Sequence, residues 1–154
     1  MTETRSQSST EVELLSFRLA EQEYSVPIMS VREIRGWTRA TPLPHSPPFM
    51  RGVINLRGTV LPVIDLASRL GMPPVEGDAR NVIIVVHAGG QSVGLLVDAV
   101  SDILALPRSD LQPPPELAAD YAHSFVQALT IVDGRMIRVL DLSAVLPTYQ
   151  TEAA

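Results

Sequence analysis

Three aspartates make the strongest case for acid–base chemistry: Asp65 in Leu61-Pro-Val-Ile-Asp-Leu, Asp98 in Gly94-Leu-Leu-Val-Asp-Ala, and Asp141 in Arg138-Val-Leu-Asp-Leu. Two carboxylates within reach of each other in a cleft could serve as general acid and base. Asp65 and Asp141, however, each precede an apolar helical turn. An aspartate there caps the helix by accepting backbone N–H donors, worth about 1 kcal/mol. Asp98 ends an apolar run and reads the same way, as a strand-end or helix-start cap. Capping is the simpler reading of all three, and a small aspartate-dependent hydrolase is the alternative.

Other chemistry finds less support. His45, His87 and His123 are scattered, with no i, i+4 pair and no HExxH, so their spacing does not point to a metal. Cysteine is absent, which removes disulfides, thiolate nucleophiles and cysteine metal sites. No GxSxG, P-loop or GxGxxG occurs, and Gly89-Gly90 reads as a hairpin turn. Asn81–Val86 could be the buried strand of a phosphoacceptor domain. It runs into His87-Ala88-Gly89 and lacks the acid pair that would hold magnesium. No catalytic residue, metal or cofactor is therefore expected. Arginine next to glycine recurs instead, at Arg35-Gly36, Arg51-Gly52 and Arg57-Gly58. That pairing suits protein recognition or a structural ion pair.

The chain of 154 residues fits one ordinary domain and is 45% hydrophobic, enough for a real core. Its net charge of −5 argues against general nucleic-acid binding and against direct binding to an anionic membrane. The twelve basic residues are all arginine. Five of them (Arg32, Arg35, Arg39, Arg51, Arg57) share one stretch with a single acid, Glu33. Compositional bias explains the absence of lysine, and a local basic face for a partner is the functional reading. The polar segment Met1–Glu11 has no secretory pattern, and no apolar run approaches the roughly 18 residues of a membrane span. A cytoplasmic protein is expected.

Alternating and β-branched runs predict strands over Val12–Leu19, Tyr24–Ile28, Thr59–Leu66, Asn81–His87, Ser92–Val97 and Arg135–Leu142. Short helices are expected at Ile28–Ile34, Leu66–Leu70, Val100–Leu104 and Leu142–Leu146, none longer than about three turns. Proline clusters at Pro42–Pro48 and Pro113–Pro115 mark irregular loops. An internal repeat organises the rest. At an offset of 76, Phe49, Gly58, Val63, Asp65, Leu66 and Leu70 meet Phe125, Gly134, Val139, Asp141, Leu142 and Leu146. At an offset of 69, Tyr24, Val31, Glu33 and Ile34 meet Val93, Val100, Asp102 and Ile103. Two related halves, about 12–75 and 80–147, are expected to form small barrels that share strands at their junction. Tails at 1–11 and 148–154 would flank them.

Val31-Arg-Glu-Ile-Arg-Gly, Phe49-Met-Arg-Gly-Val-Ile-Asn-Leu-Arg-Gly, Leu61-Pro-Val-Ile-Asp-Leu and Gly94-Leu-Leu-Val-Asp-Ala-Val-Ser-Asp together resemble the CheW-like coupling proteins of bacterial chemotaxis. Pro113-Pro-Pro-Glu and Asp133-Gly-Arg-Met agree with this, and the likeness runs from about Glu13 to Pro147. One departure is Val126-Gln-Ala-Leu, which stands where the second half often carries a glycine. The resemblance implies a mostly β fold of two SH3-like five-stranded barrels around a shared core. It also implies an adaptor without catalysis, which couples the cytoplasmic tips of chemoreceptors to the regulatory domain of the histidine kinase CheA at membrane-associated receptor arrays. A paralogue scaffolding a non-flagellar chemosensory pathway is the alternative.

Carried over residue by residue, the family motif puts the receptor in an apolar groove where the barrels meet. Val31, Ile34, Gly52, Val53 and Val100 would line it, with Arg57 at the rim. An amphipathic receptor helix would bury its apolar face there, and Gly52 would let it approach the backbone. The kinase would bind elsewhere on the first barrel, at residues the motif does not specify. As the one acid in the arginine-rich stretch, Glu33 is expected to form a partly buried ion pair with Arg57.

Overall fold

The apolar runs form strands, and most of the turn residues between them close tight hairpins. The computed structural model describes residues 10–115 and 124–147. His123 and the tail at 148–154 lie outside the described residues, as does the tail at 1–11 up to residue 9. The strands are β1 (Glu11–Leu19), β2 (Gln22–Pro27), β3 (Val31–Gly36), β4 (Met50–Leu56), β5 (Thr59–Asp65), β6 (Val82–Ala88), β7 (Gln91–Val97), β8 (Ala99–Pro107), β9 (Val126–Val132) and β10 (Arg135–Leu140). Two helical turns, α1 (Leu66–Arg69) and α2 (Leu142–Val145), follow β5 and β10.

The strands make two five-stranded sheets, ordered β8-β1-β2-β10-β9 and β3-β6-β7-β5-β4. Advancing each strand of the first sheet by five places in chain order, and counting β1 again after β10, produces the second. The repeat therefore shows in the topology, but each sheet draws strands from both halves of the sequence. The mostly β architecture of two SH3-like five-stranded units is as expected. The closed barrel is not: among the described residues β8 does not pair with β9, nor β3 with β4. Two of the four outer strands, β4 and β9, are protected differently. Thr41 pairs with Val53 of β4, and Gln112 with Leu129 of β9. The next residue is a proline each time, Pro42 or Pro113, which lacks the N–H to continue a ladder.

Both glycine-bearing hairpins of the offset-76 repeat behave alike. Arg57-Gly58 joins β4 to β5 and Asp133-Gly134 joins β9 to β10, with positive φ at all four residues. Two positive φ values give the turn a twist that matches the flanking strands.

A single apolar cluster runs through both sheets. Leu15, Phe17, Tyr24 and Val26 of one pack with Ile64, Ile84, Val86 and Leu95 of the other. A smaller cluster of Leu14, Leu106 and Val139 lies within the first sheet. Ser25 is buried on β2, and its hydroxyl donates to the Arg138 carbonyl of β10.

Two expected helices are strands. Only Ile28–Ser30 of Ile28–Ile34 is helical, as one 3₁₀ turn, and the rest is β3. Val100–Leu104 lies within β8. In both cases a β-bulge imitates helical spacing. On β3, Val31 faces Val86 and Ile34 faces Ile84, with the register shifting between Val31 and Glu33. On β8, Val100 faces Phe17 and Ile103 faces Leu15, with the shift opposite Ser16/Phe17. One extra residue puts side chains three apart on the same face of a strand, as a helix turn would.

Candidate partner-binding site

These bulges build the margin of the shared core. Val31 and Val100, equivalent in the repeat, are half-buried against the cluster that joins the sheets. Ile34 continues from Val31 on the same face and is 47% exposed. Ile103 continues likewise from Val100 and is 58% exposed. Val31 and Val100 thus pack on the shared core, while Ile34 extends from Val31 as an exposed apolar side chain. Sequence reasoning missed Ile103, although its spacing from Val100 copies that of Ile34 from Val31.

Arg57 and Glu33 meet across this margin. Arg57 Nη2 donates to Glu33 Oε1 at 2.7 Å, and Arg35 Nη1 donates to Glu33 Oε2 at 3.1 Å. Glu33 therefore bridges two arginines and ties the β4–β5 turn to β3. The Arg57 hydrogen bond, followed by that of Arg35, holds the Glu33 carboxyl below its ordinary range. The same contact raises the pKa of Arg57. Glu33 is half-buried, whereas the Arg57 side chain is 70% exposed.

Gly52 has a task within the fold itself. It is buried, with φ +138°, and a Cβ there would stand 2.1 Å from the Thr41 carbonyl oxygen. One close approach that glycine permits is made by the chain's own backbone. Thr41 and Val53 then exchange both backbone hydrogen bonds, at 2.8 and 2.9 Å. Val53 is half-buried beside this bridge.

The three aspartates are structural caps. Asp65 caps α1 by accepting from the Ser68 N–H at 3.1 Å, and it also accepts from the Val75 N–H at 3.0 Å. Asp141 caps α2 through the Ser143 N–H and hydroxyl. Asp98 accepts at 2.6 Å from Ala20, which has positive φ in the β1–β2 turn. Of the histidines, His87 is hydrogen-bonded to Ser92, and His45 lies in the proline-rich loop. Among the described residues no group of three or more histidine, aspartate or glutamate side chains could hold a metal ion. None of the described helices is long and apolar enough to cross a membrane.

Comparison with known proteins agrees with this architecture over nearly the whole chain. Residues 13–150 match the model of the CheW-like domain. The chain is 52% identical to the chemotaxis protein CheW of Rhizobium meliloti strain 1021 over 142 residues, covering 92% of each protein. Against the chemotaxis protein CheW of Bacillus subtilis strain 168 it is 30% identical over 141 residues, covering 92% of this chain and 90% of the other. The crystal structure of the scaffolding protein TtCheW from Thermoanaerobacter tengcongensis superposes with a TM-score of 0.82 at 32% identity. That superposition covers 92% of this chain and 97% of the other. With a family model spanning most of its residues and relatives aligned almost end to end, the chain belongs to the CheW-like domain family.

Proposed function

We propose that this protein is a chemotaxis adaptor that binds a chemoreceptor tip and the regulatory domain of the kinase CheA at once. The observation that carries the reading is the end-to-end likeness to a scaffolding protein, at a TM-score of 0.82. The receptor's helical hairpin lays its apolar face on the margin formed by Val31, Ile34, Val53 and Val100, with Arg57 at the rim. Gly52 contributes by seating Thr41 beside Val53. The kinase domain takes a separate surface, elsewhere on the sheet of β3–β7 and away from this margin, because one patch cannot hold two partners together. A standard interface needs roughly 800 Å² from each partner. The 8860 Å² surface of the chain has room for two. The protein works without catalysis or cofactor, in the cytoplasm, and reaches membrane-associated arrays through the receptor.

The test is size-exclusion chromatography of the purified chain with a soluble receptor tip, the kinase regulatory domain, or both. A ternary complex containing all three supports the adaptor. Two mutually exclusive binary complexes contradict it.

A further inference from the structure

Among the described residues, half of the strand pairings join one half of the sequence to the other. Four cross over: β1–β8, β2–β10, β3–β6 and β5–β7. Four stay within a half: β1–β2, β4–β5, β6–β7 and β9–β10. One sheet takes β1 and β2 from the first half and three strands from the second, and the other sheet reverses the shares. Neither half can complete a sheet alone. The covalent link between them is the segment 70–81, which contains no strand and in which Pro73 and Pro74 are exposed.

The repeat also defines a point where equivalent residues meet. Arg69, at the end of α1, corresponds to Val145 of α2. Arg69 Nε donates to the Val145 carbonyl at 2.7 Å, and Nη2 donates to that of Ala144 at 3.2 Å. Its guanidinium lies 4.7 Å from the Phe49 ring centroid and 4.9 Å from that of Phe125, which are themselves equivalent. Among the described residues a single cation thus occupies the junction, between one ring from each half. Pairing two first halves would bring two guanidinium groups to it. Pairing two second halves would supply valine twice and no donor to the α2 carbonyls. Only the mixed pairing provides one cation, two rings and two acceptors.

We propose that the halves form an interlocked pair that does not depend on segment 70–81 to stay together, and that Arg69 selects first-with-second pairing. The partner surface of each half is fitted to the complementary half, whether from its own chain or from a second copy of it.

The experiment uses the full chain with a protease recognition sequence inserted between Pro73 and Pro74, cut after folding. The cut protein is expected to elute with the uncut one and to keep its near-ultraviolet circular dichroism. Cut protein is then mixed with an isotopically labelled cut copy and warmed towards Tm. Native mass spectrometry should show hybrids of labelled first half with unlabelled second half, and the reverse, but no first–first pairs. Arg69→Val should admit first–first pairs. Adding Val145→Arg returns one guanidinium to the junction and should suppress them again. Should Arg69→Val fail to fold, Val145→Arg alone carries the test. Two guanidinium groups at one site should speed exchange of halves about tenfold, or about 1.4 kcal/mol. The proposal is overturned if the cut pieces separate under native conditions, if first–first pairs form equally in the wild type and in Arg69→Val, or if Val145→Arg leaves the exchange rate unchanged.

Discussion

The Asp65 carboxylate receives the Arg51 guanidinium at 3.1 Å, whereas Asp141, its equivalent in the second repeat, pairs with no arginine among the described residues. Gln127 stands at the position of Arg51 and turns instead to the Leu140 carbonyl. Both residues occupy the bulge of an outer strand, Arg51 between Met50 and Gly52, and Gln127 between Val126 and Ala128. The bulge aims each side chain differently from its ladder neighbours. In the first half it sends Arg51 to Asp65 and to the Val75 carbonyl, which fixes the middle of the connector between halves.

Asp65→Ala and Asp141→Ala should therefore differ. Asp65 is buried with its cap, the Val75 N–H and a cation, so its loss leaves Arg51 without its counter-ion. A cost of about 3 kcal/mol is expected, at the low end for a broken buried pair because Arg51 retains some solvent. Asp141 loses only a half-exposed cap, about 1 kcal/mol. Urea denaturation of the two variants checks the contrast, and equal losses would show that the two sites are energetically alike.

Glu33 makes stability dependent on pH in a defined direction. Its folded pKa lies below the ordinary glutamate value, first through Arg57 and then through Arg35. A lowered carboxylate pKa means that the unfolded chain takes up the proton first as pH falls. The contribution is complete at neutral pH, declines below the ordinary glutamate range and is gone under the folded pKa. Wild type should melt above Glu33→Gln at pH 7, and the gap should close in acid. A gap that persists or widens in acid would show that the carboxylate is not the source.

Gly52 should be intolerant for structural reasons. Gly52→Ala places a Cβ against the Thr41 carbonyl in a backbone region that L residues rarely adopt, and Gly52→Asp adds bulk and charge to a buried position. Both are expected to lower Tm sharply and to free the Thr41–Val53 bridge, seen as faster amide exchange at those two residues. Gly58→Ala, with φ +85° but no neighbour within 4 Å, should cost only about 1–2 kcal/mol of backbone strain. Equal tolerance at both glycines would contradict the close contact.

Legibility in the sequence tracked how local the controlling interaction is. Gly58 and Gly134 mark their hairpins, and Asp65 and Asp141 their helical turns, because each effect acts within a few residues. Val31/Ile34 and Val100/Ile103 read as helical because spacing alone does not distinguish a bulged strand from a helix turn. Gly52 was recognisable as a close-approach glycine, but its neighbour Thr41 is set by the path of the proline loop. Ala128 at the equivalent position lacks positive φ, so the repeat offered no warning. Glu33 and Arg57 could be paired from charge isolation, but the exposure of Arg57 depends on how the β4–β5 turn overhangs β3. Shared strands were expected at the junction, but that both sheets mix strands of the two halves was less legible, since sequence similarity does not say which half a strand joins.

An adaptor with two separate surfaces requires that the margin at Ile34 serve one partner only. Ile34 is suited to the question because its side chain is 47% exposed, so Ile34→Asp should fold as wild type does. Isothermal titration of that variant, with a receptor tip and with the CheA regulatory domain in separate experiments, measures both affinities directly. A carboxylate on the apolar margin is expected to weaken receptor binding at least about tenfold, about 1.4 kcal/mol, and to leave kinase binding unchanged. Equal loss of both affinities, or loss of neither, in a variant with wild-type Tm would contradict the account.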